Sequence, residues 1–145
     1  MVFRICKRFT VECGHILSKH SGQCRFPHGH SLGIEIVIES DQLDQNDMVC
    51  DLKTLKDAVH DAVGRLDHAF CINSAEAGFE ELKRRYGDRL VEFKEMDPTI
   101  EVLAKTLFDE VETRLGWSSI FPAGLRVVRV RVAETENSWA ECCRG

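Results

Sequence analysis

Two runs of strict two-residue alternation, joined by a single loop, constrain this chain more than anything else in it. From Phe3 the odd positions read Phe3, Ile5, Lys7, Phe9, Val11, Cys13 and His15, against Arg4, Cys6, Arg8, Thr10, Glu12 and Gly14. The second run places His28, His30, Leu32, Ile34, Ile36 and Ile38 on its even positions, against Glu35 and Glu39. Side chains two apart on a strand share a face, so each run predicts a long strand with one mostly apolar side. The loop between them, Ser18 to Pro27, carries Gly22, Cys24 and Pro27, and the two strands are expected to pair antiparallel. A polar turn over Ser40 to Asp47 follows.

The period then changes. Leu52, Leu55, Val59, Ala62, Val63 and Leu66 recur at helical spacing, which predicts an amphipathic helix over Asp51 to Leu66. Ala75 to Met96 is polar, with a short helix at Glu80 to Tyr86 and a short strand near Leu90 to Phe93. Asp97-Pro98 reads as a side-chain N-cap followed by proline in the first turn of a second clear helix. That helix runs through Leu115 and stops at Gly116 and the turn around Pro122-Ala123-Gly124. The last strand spans Leu125 to about Glu136, with Val128, Val130, Val132 and Glu134 on one face. The 145 residues form one domain, 1–145, of α+β class: an antiparallel sheet with helices on one face.

Charge and cysteine usage narrow the function. The formal net charge is −5 and the 19 Lys and Arg are dispersed, so the basic stripe that a nucleic acid or anionic membrane surface requires is absent. No apolar run approaches the ~18 residues of a membrane span, and no charged-then-apolar leader opens the chain. A cytoplasmic protein is expected. The seven Cys are odd in number and contain no Cys-x-x-Cys pair, which fits free thiols in a reducing compartment.

The histidines are less easily explained as ordinary residues. His28 and His30 project together from one strand face, and His15 ends the apolar face of the partner strand. Three imidazoles converging there make a zinc site with a fourth position open to water or substrate. Burying them without a partner is costly. Cys24, four residues before His28, has two readings. As a fourth ligand it closes a structural site; as a non-ligand beside the metal it is a base or nucleophile with a lowered pKa.

Cys24-Arg25-Phe26-Pro27-His28-Gly29-His30 resembles the Cys-x-x-x-His-Gly-His motif of the 6-pyruvoyl-tetrahydropterin synthase and 6-carboxy-tetrahydropterin synthase family. The resemblance continues in order through Cys13-Gly14-His15-Ile16-Leu17, Met48 to Lys56, Leu66-Asp67-His68 with Asn73, Pro98-Thr99-Ile100-Glu101, and Glu134-Thr135. It implies a tunnelling fold (T-fold), a four-stranded antiparallel sheet with two helices on one face, assembled through trimers into a homo-hexamer with sites at subunit interfaces. It implies Zn2+ on His15, His28 and His30, Cys24 as the base, and Asp67 and His68 as its relay. Glu134 would anchor the pterin, with Thr99 and Glu101 nearby.

The implied reaction is that of a lyase: 7,8-dihydroneopterin triphosphate to 6-carboxy-5,6,7,8-tetrahydropterin, acetaldehyde and triphosphate, on the route to queuosine and other 7-deazaguanine nucleosides. Elimination of triphosphate alone, giving 6-pyruvoyl-tetrahydropterin, is the alternative. A non-catalytic zinc or pterin-binding module, with Cys24 as fourth ligand, is a different class, and a thiol hydrolase built on Cys24 and His68 is another. Taken alone, Asp67-His68 reads as a helix C-terminus with a cation at its negative pole, since neighbouring side chains do not ordinarily face each other. Thr99 and Glu101 likewise suit a first helical turn, and Glu134 suits a site residue or a carboxylate buried against a Lys. Val102 stands where the family has Asn, and the 74–96 stretch is longer than in the family's compact bacterial members. Lys19 and Arg25 are placed near the triphosphate by position alone.

Overall fold

A computed structural model describes residues 1–117 and 119–145. The two alternating runs form β1 (Phe3–His15) and β2 (His28–Ser40), which pair antiparallel along their whole length, from Phe3 opposite Ser40 to His15 opposite His28. The other elements are α1 (Leu52–Gly64), β3 (Ala69–Asn73), α2 (Phe79–Tyr86), β4 (Leu90–Phe93), α3 (Ile100–Trp117), β5 (Arg126–Thr135) and β6 (Ser138–Cys143). The class is α+β as expected, but the sheet has six strands rather than four, in the order β4-β3-β1-β2-β5-β6. It is also not wholly antiparallel, because β3 runs parallel to both β1 and β4.

Both added strands escape a period-two reading for physical reasons. β3 is buried on both faces: Cys71 joins the main core while Ile72 packs with Phe79, Leu90 and Ile16 in a smaller cluster beneath α2. β6 (Ser-Trp-Ala-Glu-Cys-Cys) lacks a strongly apolar face, and it closes a hairpin with β5 through Glu136-Asn137. Cys142 and Cys143 lie on this strand, one half-buried and one exposed, and all seven cysteines are free thiols.

The main core joins Val11, Leu32, Ile34, Ile36 and Ile38 of the central pair to Leu55 and Val59 of α1 and Leu103, Leu107 and Val111 of α3. One face of β5 completes it with Val130 and Val132, as simple alternation selects, but with Val127 in place of Val128. Val128 is an extra residue in the β2–β5 ladder, where Val37 opposes Arg129 but Ile38 opposes Val127. Such a bulge reverses the parity of the strand. Val127, Val130 and Val132 are therefore fully buried, and Val128 lies on the other side.

That other side of the sheet is a lattice of ion pairs. Glu39, placed outside by its alternation, is nevertheless buried, because Arg4 (2.7 Å) and Arg126 (2.7 Å) close over its carboxylate. The bond from Arg4, followed by Arg126, holds the Glu39 pKa below the usual glutamate range. A lowered carboxylate pKa contributes stability above the unfolded-state value and loses it as pH falls through the folded value. Glu39→Gln is therefore expected to destabilise the protein at neutral pH, with the deficit closing under acid. Urea unfolding of both proteins across the acid limb checks this; a deficit independent of pH would contradict it.

Two further expectations change. The helix beginning at Asp97-Pro98 starts instead at Ile100, with Thr99 Oγ1 accepting the Val102 N–H at 3.3 Å. Asp97 does not cap it, and its carboxylate is bonded elsewhere. Among the described residues no helix is long and apolar enough to cross a membrane.

Candidate metal centre

The far end of the β1–β2 ladder sets the site. His15 lies directly opposite His28, Gly14 opposite Gly29, and Cys13 opposite His30, so the three imidazoles rise from one face. A side chain at position 29 would bring its Cβ within 3.1 Å of the Cys13 carbonyl, which is why glycine separates the two histidines. The ring centroids are 4.4, 5.2 and 5.1 Å apart, and one ligand atom from each ring lies within 4.8 Å of the others.

Their hydrogen bonds fix which nitrogens converge. His15 Nδ1 is 2.9 Å from the Pro98 carbonyl and His28 Nδ1 is 2.7 Å from that of Phe26. A carbonyl only accepts, so each Nδ1 must carry the proton and each neutral ring presents a bare Nε2. Those two Nε2 atoms stand 2.9 Å apart, and His30 Nε2 is buried without a partner. Lone pairs facing at this distance, beside a third unsatisfied nitrogen, are unfavourable unless a cation sits between them. Burial and the neighbouring imidazoles lower the His15 pKa, with the Pro98 carbonyl opposing, so its ring stays neutral as a ligand must. Three neutral nitrogens without a thiolate fit Zn2+. The Cys24 sulfur is not part of this cluster.

Glu134 joins from β5, its Oε1 lying 3.6 Å from His30 Nε2 and 3.8 Å from His15 Nε2. It is the extra residue of a second bulge, between Ala133 opposite Trp139 and Thr135 opposite Ser138. Two residues on from Val132, which opposes Ile34, it reaches the histidines from the face that alternation assigned it, and no Lys pairs with it among the described residues.

Asp67 and His68, against the ordinary behaviour of neighbours, do face each other. His68 takes a left-handed φ of 54°, and its Nδ1 lies 3.1 Å from Asp67 Oδ2. Asp67 Oδ1 accepts the Glu12 N–H at 2.9 Å, and this bond, then His68, holds its pKa below the usual aspartate range. The pair is thus an ionised carboxylate orienting an exposed imidazole. His68 opens on a cavity of about 420 Å³ with Pro27, Phe70, Leu82, Tyr86 and Arg89. Cys24 sits in a short 3-10 turn, Gln23–Arg25, half-buried. Among the described residues no hydrogen bond joins its sulfur to the Asp67–His68 pair.

Thr99 lines a shallow cavity of about 380 Å³ with Lys19 and Val102, and Glu101 is exposed in the first turn of α3. Lys19 Nζ bonds the Glu95 carbonyl at 3.0 Å and Arg25 bonds that of Ser18, so both cations brace the loop. The carbonyls of Pro98 and Phe26, which decide the tautomers, were not legible as site groups. Backbone acceptors leave no mark on residue type.

An α+β sheet carrying three histidines that could hold a metal ion, a carboxylate beside them, and an oriented Asp–His pair that opens on a cavity, defines a protein with a candidate metal site of enzyme-like construction. The sequence profile described as 6-pyruvoyl tetrahydropterin synthase matches residues 4–144, and the chain belongs to that family. It is 31% identical to the 6-carboxy-5,6,7,8-tetrahydropterin synthase of Aquifex aeolicus, covering 97% of this chain and 98% of that one. The enzyme of the same name from Bacillus subtilis is 29% identical over 94% of this chain and 82% of its own. The fold matches that of an uncharacterised protein from Wolinella succinogenes at a TM-score of 0.82, with 22% identity, over 100% of this chain and 99% of that one. The 6-pyruvoyl tetrahydropterin synthase of Caenorhabditis elegans matches at 0.69, with 16% identity, over 100% and 97%.

Proposed function

We propose that this protein is a zinc-dependent lyase that converts 7,8-dihydroneopterin triphosphate and water to 6-carboxy-5,6,7,8-tetrahydropterin, acetaldehyde and triphosphate. The observation that carries the proposal is the meeting of three Nε2 atoms, two of them 2.9 Å apart with both Nδ1 atoms already committed to carbonyls. Full-length similarity to relatives named for that product supports the choice of substrate.

His15, His28 and His30 would hold the metal. When bound, zinc supplies Lewis acidity to the hydroxyls of the substrate side chain. Cys24 takes and returns a proton at the activated side chain. Asp67 holds His68 in one tautomer, with Nε2 outward, and the His68 imidazole relays that proton. Pro27 of the Cys24 loop lines the cavity onto which His68 opens, which supports placing the thiol and the relay around one substrate. Glu134 accepts from the paired amide and amino donors of the pterin edge, while Thr99 and Glu101 flank the pocket. A homo-hexamer built as a dimer of trimers completes each site, the protein works in the cytoplasm, and its product enters the route to 7-deazaguanine nucleosides such as queuosine.

Incubating zinc-loaded protein with 7,8-dihydroneopterin triphosphate tests the reading. Acetaldehyde released together with triphosphate is the expected result. Triphosphate alone would instead make it a 6-pyruvoyl-tetrahydropterin synthase, and no consumption would leave a binding module.

A further inference from the structure

The bond that sets the His15 tautomer comes from the Pro98 carbonyl, and Pro98 lies on an irregular segment between β4 and α3. Apart from a local bond from the Thr99 N–H to the Asp97 carbonyl at 2.9 Å, the hydrogen bonds that hold it run to residues distant in sequence. Glu95, near its start, takes a left-handed φ of 56°, a conformation unfavourable for a residue with a Cβ. Its N–H bonds Ser74 Oγ at 2.9 Å and its carbonyl takes the Lys19 ammonium. The principal anchor is Asp97, a buried carboxylate. Its Oδ2 accepts the Lys19 N–H at 2.7 Å and its Oδ1 accepts Asn73 Nδ2 at 2.8 Å. Asn73 is itself 1% exposed at the end of β3, where its Oδ1 accepts the Ala75 N–H at 2.9 Å.

A charge buried against neutral donors alone is an expensive way to pin a loop. Here it connects three places at once: the loop after β1, the end of β3, and the peptide preceding Pro98. Metal-bound imidazoles depend on the acceptor behind them, and loss of such an acceptor weakens binding. We infer that Asp97, clamped between Asn73 and the Lys19 amide, is the positioning residue that aims the Pro98 carbonyl at His15 and so keeps His15 Nε2 available to the metal. That role presupposes that the three histidines hold zinc.

The donor and acceptor of the Asn73–Asp97 pair can be exchanged, which provides the test. Asn73→Asp sets two carboxylates against each other and is expected to weaken zinc binding, measured by chelator competition, by roughly 10–100-fold. Asp97→Asn is expected to weaken it in the same direction, because two side-chain amides then share donors. In the double variant, Asn at 97 accepts from Lys19 and donates to Asp at 73, which still accepts from Ala75. Every bond is restored, and zinc affinity is expected to return to within a few-fold of wild type. In the metal-free protein, NMR is expected to show the His15 Nδ1–H in wild type and the double variant and to lose it in the single variants.

Where Asn73→Asp does not fold, Asn73→Ser removes one arm without adding charge and must still weaken zinc binding and erase the Nδ1–H signal. Folded single variants that bind zinc like wild type overturn the inference. So does a double variant that unfolds at the wild-type temperature but binds zinc as weakly as the single ones. Wild-type protein that binds no zinc overturns the metal reading instead.

Discussion

Replacing Cys24 with Ala is expected to leave the zinc content of the protein unchanged and to lower turnover of 7,8-dihydroneopterin triphosphate by roughly 10²–10⁴-fold, the range for loss of a positioned proton-transfer group. Unchanged zinc follows from the geometry, since the ligand atoms that converge are those of His15, His28 and His30. The loop should survive the change as well. Its closure is a backbone bond from the Leu17 N–H to the Cys24 carbonyl, 3.1 Å, and does not use the sulfur. Metal analysis of the purified variant, beside its steady-state rate, separates the readings. Loss of zinc would make Cys24 a fourth ligand and the site structural. Turnover that persists in the metal-stripped wild type would favour a thiol hydrolase.

The long strands were readable because their burial alternates: with one face on the core and one outside, residue type follows position from Phe3 to His15 and from His28 to Ile36. The same alternation carried the three histidines to one end of one face, so the cluster was legible before any coordinates. Legibility failed where that correspondence breaks. Phe70, Cys71 and Ile72 are all apolar because both faces of β3 are covered, and a five-residue strand without alternation is indistinguishable from a buried turn. The bulge at Val128 adds one residue, which residue identity does not announce, and so puts Val127 rather than Val128 in the core.

Asp97 shows a different failure. Asp-Pro is a true helix-start signal, and a helix does start just beyond it. But the same short carboxylate accepts equally well from Lys19 and Asn73, far off in sequence, and tertiary partners outcompeted the local N–H groups. His68 is similar: its facing of Asp67 depends on a positive φ that nothing in Leu-Asp-His specifies.

His30→Ala is expected to have the largest effect on metal binding, with opposite consequences for the metal-free and metal-loaded protein. In the metal-free state His30 Nε2 is a buried nitrogen with no partner, so removing it relieves an unsatisfied polar group and is expected to leave stability unchanged or slightly raised. With zinc present the sign reverses. Two imidazoles cannot hold the ion as three do, and affinity is expected to fall by well over the ~100-fold that marks the upper end for loss of an outer partner. Binding to the folded state alone stabilises by about 2.7 kcal/mol at a hundredfold excess over Kd. For a chain of this size that is roughly 5–10 °C in Tm. Wild type should show that zinc-dependent rise and His30→Ala should lose it, together with turnover. Thermal unfolding of both proteins with and without zinc reads all four states. A variant that is destabilised without zinc yet still gains the full rise with it would mean that His30 supports the strand and does not hold the metal. Loss of the whole rise with unimpaired metal-free stability is the pattern expected of a ligand.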